Sequence, residues 1–337
     1  MDRIDTISEL LALSNTQFRI YDIGRKITKI SKDDFNKVEN NQMPYPFPMQ
    51  GHASFAIAFW QKGQKTPYIW FIKLPLDERG LLNQGARNHF IAIIIEALGN
   101  DLTVDPSEHQ QELLNSNPYH FTPAEYKLAA FNSIIRHELK ADTSIHFEHF
   151  QSYISGQMPW TDWQAIGVQG ISDLVCKLDN NKLTEDLCKN IAHFPEPVFQ
   201  PLCLALENQV LPLNLINRLV ELAETASSEN LPYVIRALAS SAEHPHVKAF
   251  VTNLLATQQS DEVYITLSGR CWLSLNDSTL EQLLDQLAQR QELALFAGIF
   301  KDLVAIPSLR PHVFAAMRSE TRSEVLASAI GQLFRAG

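Results

Sequence analysis

The chain has 337 residues, 45% hydrophobic and 20% charged, a globular composition with length enough for two domains and a sizeable core. Its formal net charge is −10, and the acid is unevenly spread: residues 1–157 hold 15 Lys/Arg against 18 Asp/Glu, leaving −3, and residues 158–337 hold 13 against 20, leaving −7. Neither half is basic in balance, as a chain that tracks a phosphate backbone along its length would be, so nucleic acid is not an expected partner.

Residues 4–13 place Ile4, Ile7, Leu10 and Leu11 at helical spacing and predict a short amphipathic helix. Residues 18–24 (FRIYDIG) alternate as a strand, and residues 26–30 predict a second short strand after a turn at Gly24. In residues 40–51 the alternate prolines Pro44, Pro46 and Pro48 remove ladder donors and predict a loop of polyproline character. Residues 53–60 (ASFAIAFW) and 68–74 (YIWFIKL), joined by a polar stretch with Gly63, predict a β-hairpin. Phe55, Ile57 and Phe59 share one face of the first strand, while both faces of the second are largely apolar, so the hairpin is expected to be covered on both sides.

Pro75 ends that strand. Residues 81–98 read as a helix with Phe90, Ile94, Ile95 and Leu98 inward and Gly99 as C-cap. Asp105-Pro106 opens a further helical segment with Asp105 as N-cap. Thr122-Pro-Ala-Glu125 is a capping box for a helix running to about Leu139. Residues 144–154 are also helical, and residues 156–159 form a linker. From Trp160 onward every apolar pattern is helical, as in Phe199, Leu202, Cys203, Leu206 and Leu280, Leu283, Leu284, Leu287. Capping boxes are expected at Ser278–Glu281 and Thr321–Glu324. Alternate helices start near residues 197, 230, 262, 292 and 321, a period of about 30 residues that suits stacked helical pairs. The expected architecture is an α+β domain with a small antiparallel sheet over residues 1–157, then an all-α HEAT-like helical repeat array over residues 158–337.

YDIGRKI (residues 21–27), PYPFP (44–48) and IWFIKLPLDERGLL (69–82) together resemble an uncharacterised bacterial family catalogued as domain of unknown function 3549. The resemblance extends over the whole chain, although its specific motifs lie within the first 100 residues. It implies a shared fold and a bacterial cytosolic setting, and it carries no activity and no catalytic residue.

Signatures of known chemistry are missing from the sequence. There is no G-x-S-x-G, Walker loop or G-x-G-x-x-G, and the 13 glycines leave little material for a phosphate-binding loop; Gly167-Val-Gln-Gly170 lies in a helical pattern. Lys73 at a strand end has the position of the kinase V-A-I-K lysine, but neither H-R-D nor D-F-G follows. The cysteines Cys176, Cys188, Cys203 and Cys271 form no CxxC pair and read as small apolar residues. His146/His149 and His244/His246 lack metal-ligand spacing and read as surface or capping residues. No cofactor and no metal are expected. The N-terminal MDRIDTISELLALSN lacks the apolar core of a signal peptide, and the longest apolar runs are too short to span a bilayer, so a cytoplasmic protein without membrane contact is expected.

Two groups remain as candidate ligand or partner contacts. Trp70, Lys73, Asp77, Glu78 and Arg79 surround the strand-end proline, where they form either a small polar site or the acidic start of the next helix with Lys73 snorkelling outward. Arg25 and Lys26, with Lys29 and Lys32, form the one basic cluster, which either meets an acidic partner or RNA or protects a solvated sheet edge. The function expected is that of a non-enzymatic protein-interaction or adaptor protein binding protein partners on the concave face of its array. The alternative is an enzyme or small-molecule sensor with a pocket near Trp70, Lys73 and Arg79. A DNA-repair role would need Arg218, Arg236, Arg270 and Arg310 to line one groove.

Overall fold

The computed structural model describes residues 4–64, 66–99, 101–103 and 106–335. Its contacts divide the chain into two units, residues 1–124 with 305–307, and residues 125–304 with 308–337.

The first unit is built on a four-stranded antiparallel sheet of order β2-β1-β3-β4, with β1 (Thr16–Asp22), β2 (Thr28–Ile30), β3 (His52–Gln61) and β4 (Tyr68–Pro75). The expected hairpin is β3–β4, in register at Ile57↔Trp70 and Phe55↔Ile72. Strand β3 is buried from Ala53 to Trp60, so neither of its faces meets water, as its unbroken apolar run requires. One face carries Phe55, Ile57 and Phe59 into a core closed by α1 (Ile7–Leu13), α2 (Lys32–Glu39) and α3 (Gln84–Leu98). Each of those side chains contributes about 1.5–3 kcal/mol by leaving water. A shorter helix, α4 (Glu108–Asn115), packs on α3.

The boundaries differ from the sequence reading where side-chain caps decide them. Helix α1 starts at Ile7 because Thr6 and Glu9 form a capping box. Helix α2 was not foreseen; Ser31 caps it, and only Phe35 and Val38 mark its inward face. Helix α3 starts at Gln84, capped by Asn83, and ends on Gly99 at φ 67°. Helix α4 starts after a Ser107–Gln110 capping box; the expected N-cap Asp105 lies outside the described residues.

Glu39, at the end of α2, ties α2 to α1. Its buried carboxylate accepts the Ile7 N–H at 2.6 Å, the Ser8 N–H at 3.2 Å and the Ser8 hydroxyl at 2.6 Å, filling donors that a helix N-terminus leaves open. Arg87 of α3 donates to the Glu39 carbonyl oxygen.

The second unit is all helix: α5 (Glu125–Glu138), α6 (Phe147–Ile154), α7 (Val168–Val175), α8 (Asn181–Asn190), α9 (Glu196–Leu206), α10 (Leu213–Thr225), α11 (Leu231–Ala237), α12 (Pro245–Leu254), α13 (Asp261–Arg270), α14 (Asp277–Gln289), α15 (Leu293–Ala305), α16 (Arg310–Arg318) and α17 (Glu324–Arg335). Helices α5, α7, α9, α11 and α13 pack each on the next of that series, and α6, α8, α10 and α12 do the same. Helices α5 and α6 therefore group with the later helices, although the sequence reading set the domain boundary at residue 157. The starts of α9, α11, α13, α15 and α17 at residues 196, 231, 261, 293 and 324 follow the expected period closely.

Polar ties recur with the same period. Asn190 donates to the Ile154 carbonyl, the Leu211 N–H to Ser241, Ser240 to the Glu207 carbonyl, Gln286 to the Leu255 carbonyl and Ser323 to Asp285, each joining residues 30–38 positions apart. Each satisfies a group that helix packing would otherwise strand away from water. Two caps differ from expectation. Asn276 and Thr279 form the capping box of α14, and Ser323, not Thr321, accepts the Leu326 N–H in the first turn of α17. Helix α5 begins at Glu125 itself, past the proline expected to open it.

Gly170 marks a close approach of α7 to the start of α6, since a Cβ there would lie 2.5 Å from the His146 carbonyl oxygen. Gly170→Ala is expected to lower unfolding free energy by about 1–3 kcal/mol through that overlap, measured by urea denaturation; an unchanged midpoint would contradict the packing. Burial pushes the Glu39 carboxyl above its ordinary value, against the pull of Ser8, Ile7 and Arg87. The folded chain then holds this proton more tightly than the unfolded one. The resulting contribution to stability is fully present below the ordinary value of 4.5 and is lost as pH rises through the raised value. Glu39→Gln should flatten that part of the stability–pH profile, and a variant with the parent's slope above pH 4.5 would contradict the assignment.

Candidate functional site

The three sequence motifs meet in the first unit. Asp22 closes β1 and its Oδ1 accepts the Tyr45 hydroxyl at 2.6 Å, while its two oxygens also take the Gly24 and Arg25 N–H groups. Arg25 turns onto the proline loop, donating through Nε and Nη2 to the Pro48 carbonyl at 2.9 and 2.6 Å. The Tyr45 N–H donates to the Gly80 carbonyl at 2.8 Å, which draws in the third motif. Burial, with Asp22 beside it, pushes the Tyr45 hydroxyl well above its ordinary value, so it remains a donor. Arg25 is 1% exposed and Lys26 is 7% exposed, so the solvated basic edge expected for this stretch is not what these two build; only Lys29 and Lys32 face water.

The second candidate group is scattered by strand alternation and a turn. Trp70 shares its face of β4 with Ile72 and packs on Phe90 of α3, with ring centroids 5.7 Å apart. Lys73 lies on the opposite face of β4, half-buried, and its N–H donates to the Tyr119 carbonyl. Asp77, Glu78 and Arg79 do not begin α3. They form an exposed turn bridged by Leu76↔Leu82, in which Asp77 Oδ1 accepts the Arg79 and Leu81 N–H groups. Those bonds, Leu81's first, hold the Asp77 carboxyl below its ordinary value. The Arg79–Asp77 contact, with Arg79 78% exposed, is a surface pair of little energetic weight.

A cleft of about 310 Å³ opens beside Trp70, away from Lys73 and Arg79. Phe59, Tyr68, Trp70 and Phe90 wall it, with Phe59 and Trp70 centroids 4.5 Å apart, and buried Ile72, Ile94 and Leu102 form its floor. Gln111, Leu114 and Asn115 of α4, with Asn117 and His120, line the remaining side. None of the described lining residues is Lys, Arg, Asp or Glu. The sequence reading found Trp70 but missed the others, because the residues of the far wall follow no periodic pattern.

Described residues of the second unit line surface grooves at three places. One, about 720 Å³, runs between α10 and α12 and combines Val220, Phe250 and Leu254 with Glu221 and Glu224. Two more lie along α14 and α17, one with Glu281 and Asp285, the other with Glu292 and Glu324. Each groove holds two carboxylates and no lysine or arginine among its lining residues. The four arginines that would mark a DNA groove are engaged elsewhere. Arg236 and Arg270 converge on the fully buried Glu207, at 2.8 and 3.5 Å, with the Tyr126 hydroxyl 3.2 Å from Arg236. Burial draws the Arg236 guanidinium down, but the bonds and charge of Glu207, with Tyr126, outweigh it and hold the group above its ordinary value. Arg218 bonds the Cys188 carbonyl and Glu221, and Arg310 bonds the Val304 carbonyl.

Burial raises the Cys176 thiol to about 12 and also raises those of Cys188 and Cys203, so all three stay protonated near neutral pH. His244 caps α12 through its ring nitrogen. Among the described residues no cluster of three or more His, Cys, Asp or Glu could hold a metal ion, and no helix is long and apolar enough to cross a membrane.

Compared with known proteins, the chain matches no curated protein and no solved structure. The family model described as "Protein of unknown function (DUF3549)" matches residues 2–334, which is essentially the whole chain, and the protein belongs to that family.

Proposed function

We infer that the protein is a non-enzymatic protein-interaction or adaptor protein of the bacterial cytoplasm, and that the grooves of its second unit are its contact surface. The observation that carries this reading is the composition of those grooves, each with two carboxylates and no cation among its lining residues. A helical segment with lysine or arginine flanking an apolar stripe is complementary to such a surface, laying apolar anchors on Phe250 and Leu254 while its cations meet Glu221 and Glu224. The helix stacking and the polar ties that recur at 30–38 residues support a HEAT-like array, in which each pair of helices contacts mainly its neighbours. Arrays of this kind present long surfaces to other proteins, and the buried Glu207–Arg236–Arg270 cluster stiffens the one here.

The test is capture of partners from native lysate by the full chain, with cross-linking to map the contact. Glu221→Lys combined with Glu224→Lys should weaken the specific partner by about tenfold or more, and added salt should weaken it in the parent. Binding that survives the charge reversal, or cross-links that avoid α10 and α12, would overturn the reading.

A further inference from the structure

The cleft of the first unit is independent of those grooves, and its chemistry specifies a different kind of ligand. Its volume of about 310 Å³ lies at the lower end of the range for small-molecule sites. Three features define what fits. First, the Trp70 ring lies 4.5 Å from that of Phe59 and 5.7 Å from that of Phe90, centroid to centroid, and the three offer flat apolar walls. Second, the described lining residues include no carboxylate, ammonium or guanidinium and only the imidazole of His120, so a charged ligand would lose its water without gaining a fixed counter-ion among them. Third, Asn117 lines the cleft while 7% exposed. Its Oδ1 takes the Tyr119 N–H at 3.0 Å, and its side-chain NH₂ has no hydrogen-bond partner among the described residues. An amide donor on a largely buried residue, with no protein acceptor, favours any ligand that supplies one.

The Tyr68 hydroxyl is committed elsewhere. It donates to the Thr103 carbonyl at 2.5 Å, and Gln61 donates to the Thr103 side chain at 2.6 Å. These bonds pin the segment that carries Leu102 into the floor. Helix α4, in contrast, has no fully buried residue, so the wall it supplies is the part of the cleft most easily displaced by an entering molecule.

We propose that this cleft binds a neutral, largely apolar small molecule, an aromatic ring system or one of similar bulk, that carries a single hydrogen-bond acceptor directed at the Asn117 amide. The site differs in place and chemistry from a polar pocket around Lys73 and Arg79, and it requires no catalysis.

The experiment uses the full chain and the neutral fluorophore N-phenyl-1-naphthylamine, followed by displacement with naphthalene, 2-acetylnaphthalene and 2-naphthoate. The proposal expects saturable fluorophore binding with one site per chain. It also expects displacement by the ketone at about a tenfold lower concentration than naphthalene, as one added hydrogen bond implies, and the weakest displacement by the carboxylate. Asn117→Ala should abolish the advantage of the ketone. Leu114→Trp should fill the cleft and abolish binding; Gln111→Trp, at an exposed position on the rim, provides the same block should the first variant fold poorly. Absence of saturable binding, binding undiminished in Gln111→Trp, or the carboxylate displacing as well as the ketone would each overturn the proposal.

Discussion

The first unit depends on one buried hydrogen bond, from the Tyr45 hydroxyl to the Asp22 carboxylate. Water cannot reach either group, so neither could find a substitute partner without opening the fold. The bond fixes the proline loop against the end of β1, and Arg25 adds a second clasp two residues beyond Ile23. Tyr45 is then held edge-on to Phe55, 5.1 Å between centroids, and Phe55 edge-on to Phe35 of α2 at 5.3 Å. A polar contact thus sets the geometry of an aromatic core, and three motifs far apart in sequence become one piece of structure. Their chemistry is spent on the fold, which leaves binding to surfaces elsewhere.

The second unit solves a different problem. Its helices bury apolar stripes against neighbours two places along the chain, and each layer leaves polar backbone groups that no helix satisfies by itself. Asn190, Ser240, Ser241 and Gln286 answer these one layer at a time. Glu207 is the costliest member of this set, a fully buried carboxylate that is tolerable only because two guanidinium groups reach it. Two of this unit's guanidinium groups, Arg236 and Arg270, are thereby drawn inward, and the described residues that line each of the three grooves include two carboxylates and no lysine or arginine.

Much of this architecture was legible in the sequence, and the exceptions have physical causes. The β3–β4 hairpin announced itself through two apolar runs and an intervening polar turn, and the helical half through spacing that extends over 170 residues or so. Helix α2 escaped notice because Lys32–Glu39 has only Phe35 and Val38 to show an inward face. The Thr6–Glu9 capping box was visible in TISE but was overrun by the apolar Ile4 before it. Arg25 and Lys26 read as a solvated cluster because charge normally signals exposure, and nothing local to them reveals that Pro48, more than twenty residues later, offers a carbonyl. Asp77 and Glu78 sit before a helix in sequence, yet an Asx-type turn claims Asp77 first. The cleft was only partly legible: Trp70 stood out, while Asn117 acquires its meaning from a sheet edge and a helix distant in sequence.

The central claim, that the shared motifs serve as a structural clasp, is tested most directly by a double-mutant cycle on Asp22→Asn and Tyr45→Phe, read by urea denaturation of the full chain. A shared buried bond requires the two losses to be non-additive, with a coupling of about 1 kcal/mol or more. Strictly additive losses, or two variants as stable as the parent, would contradict the account and return the motifs to the list of candidate functional residues.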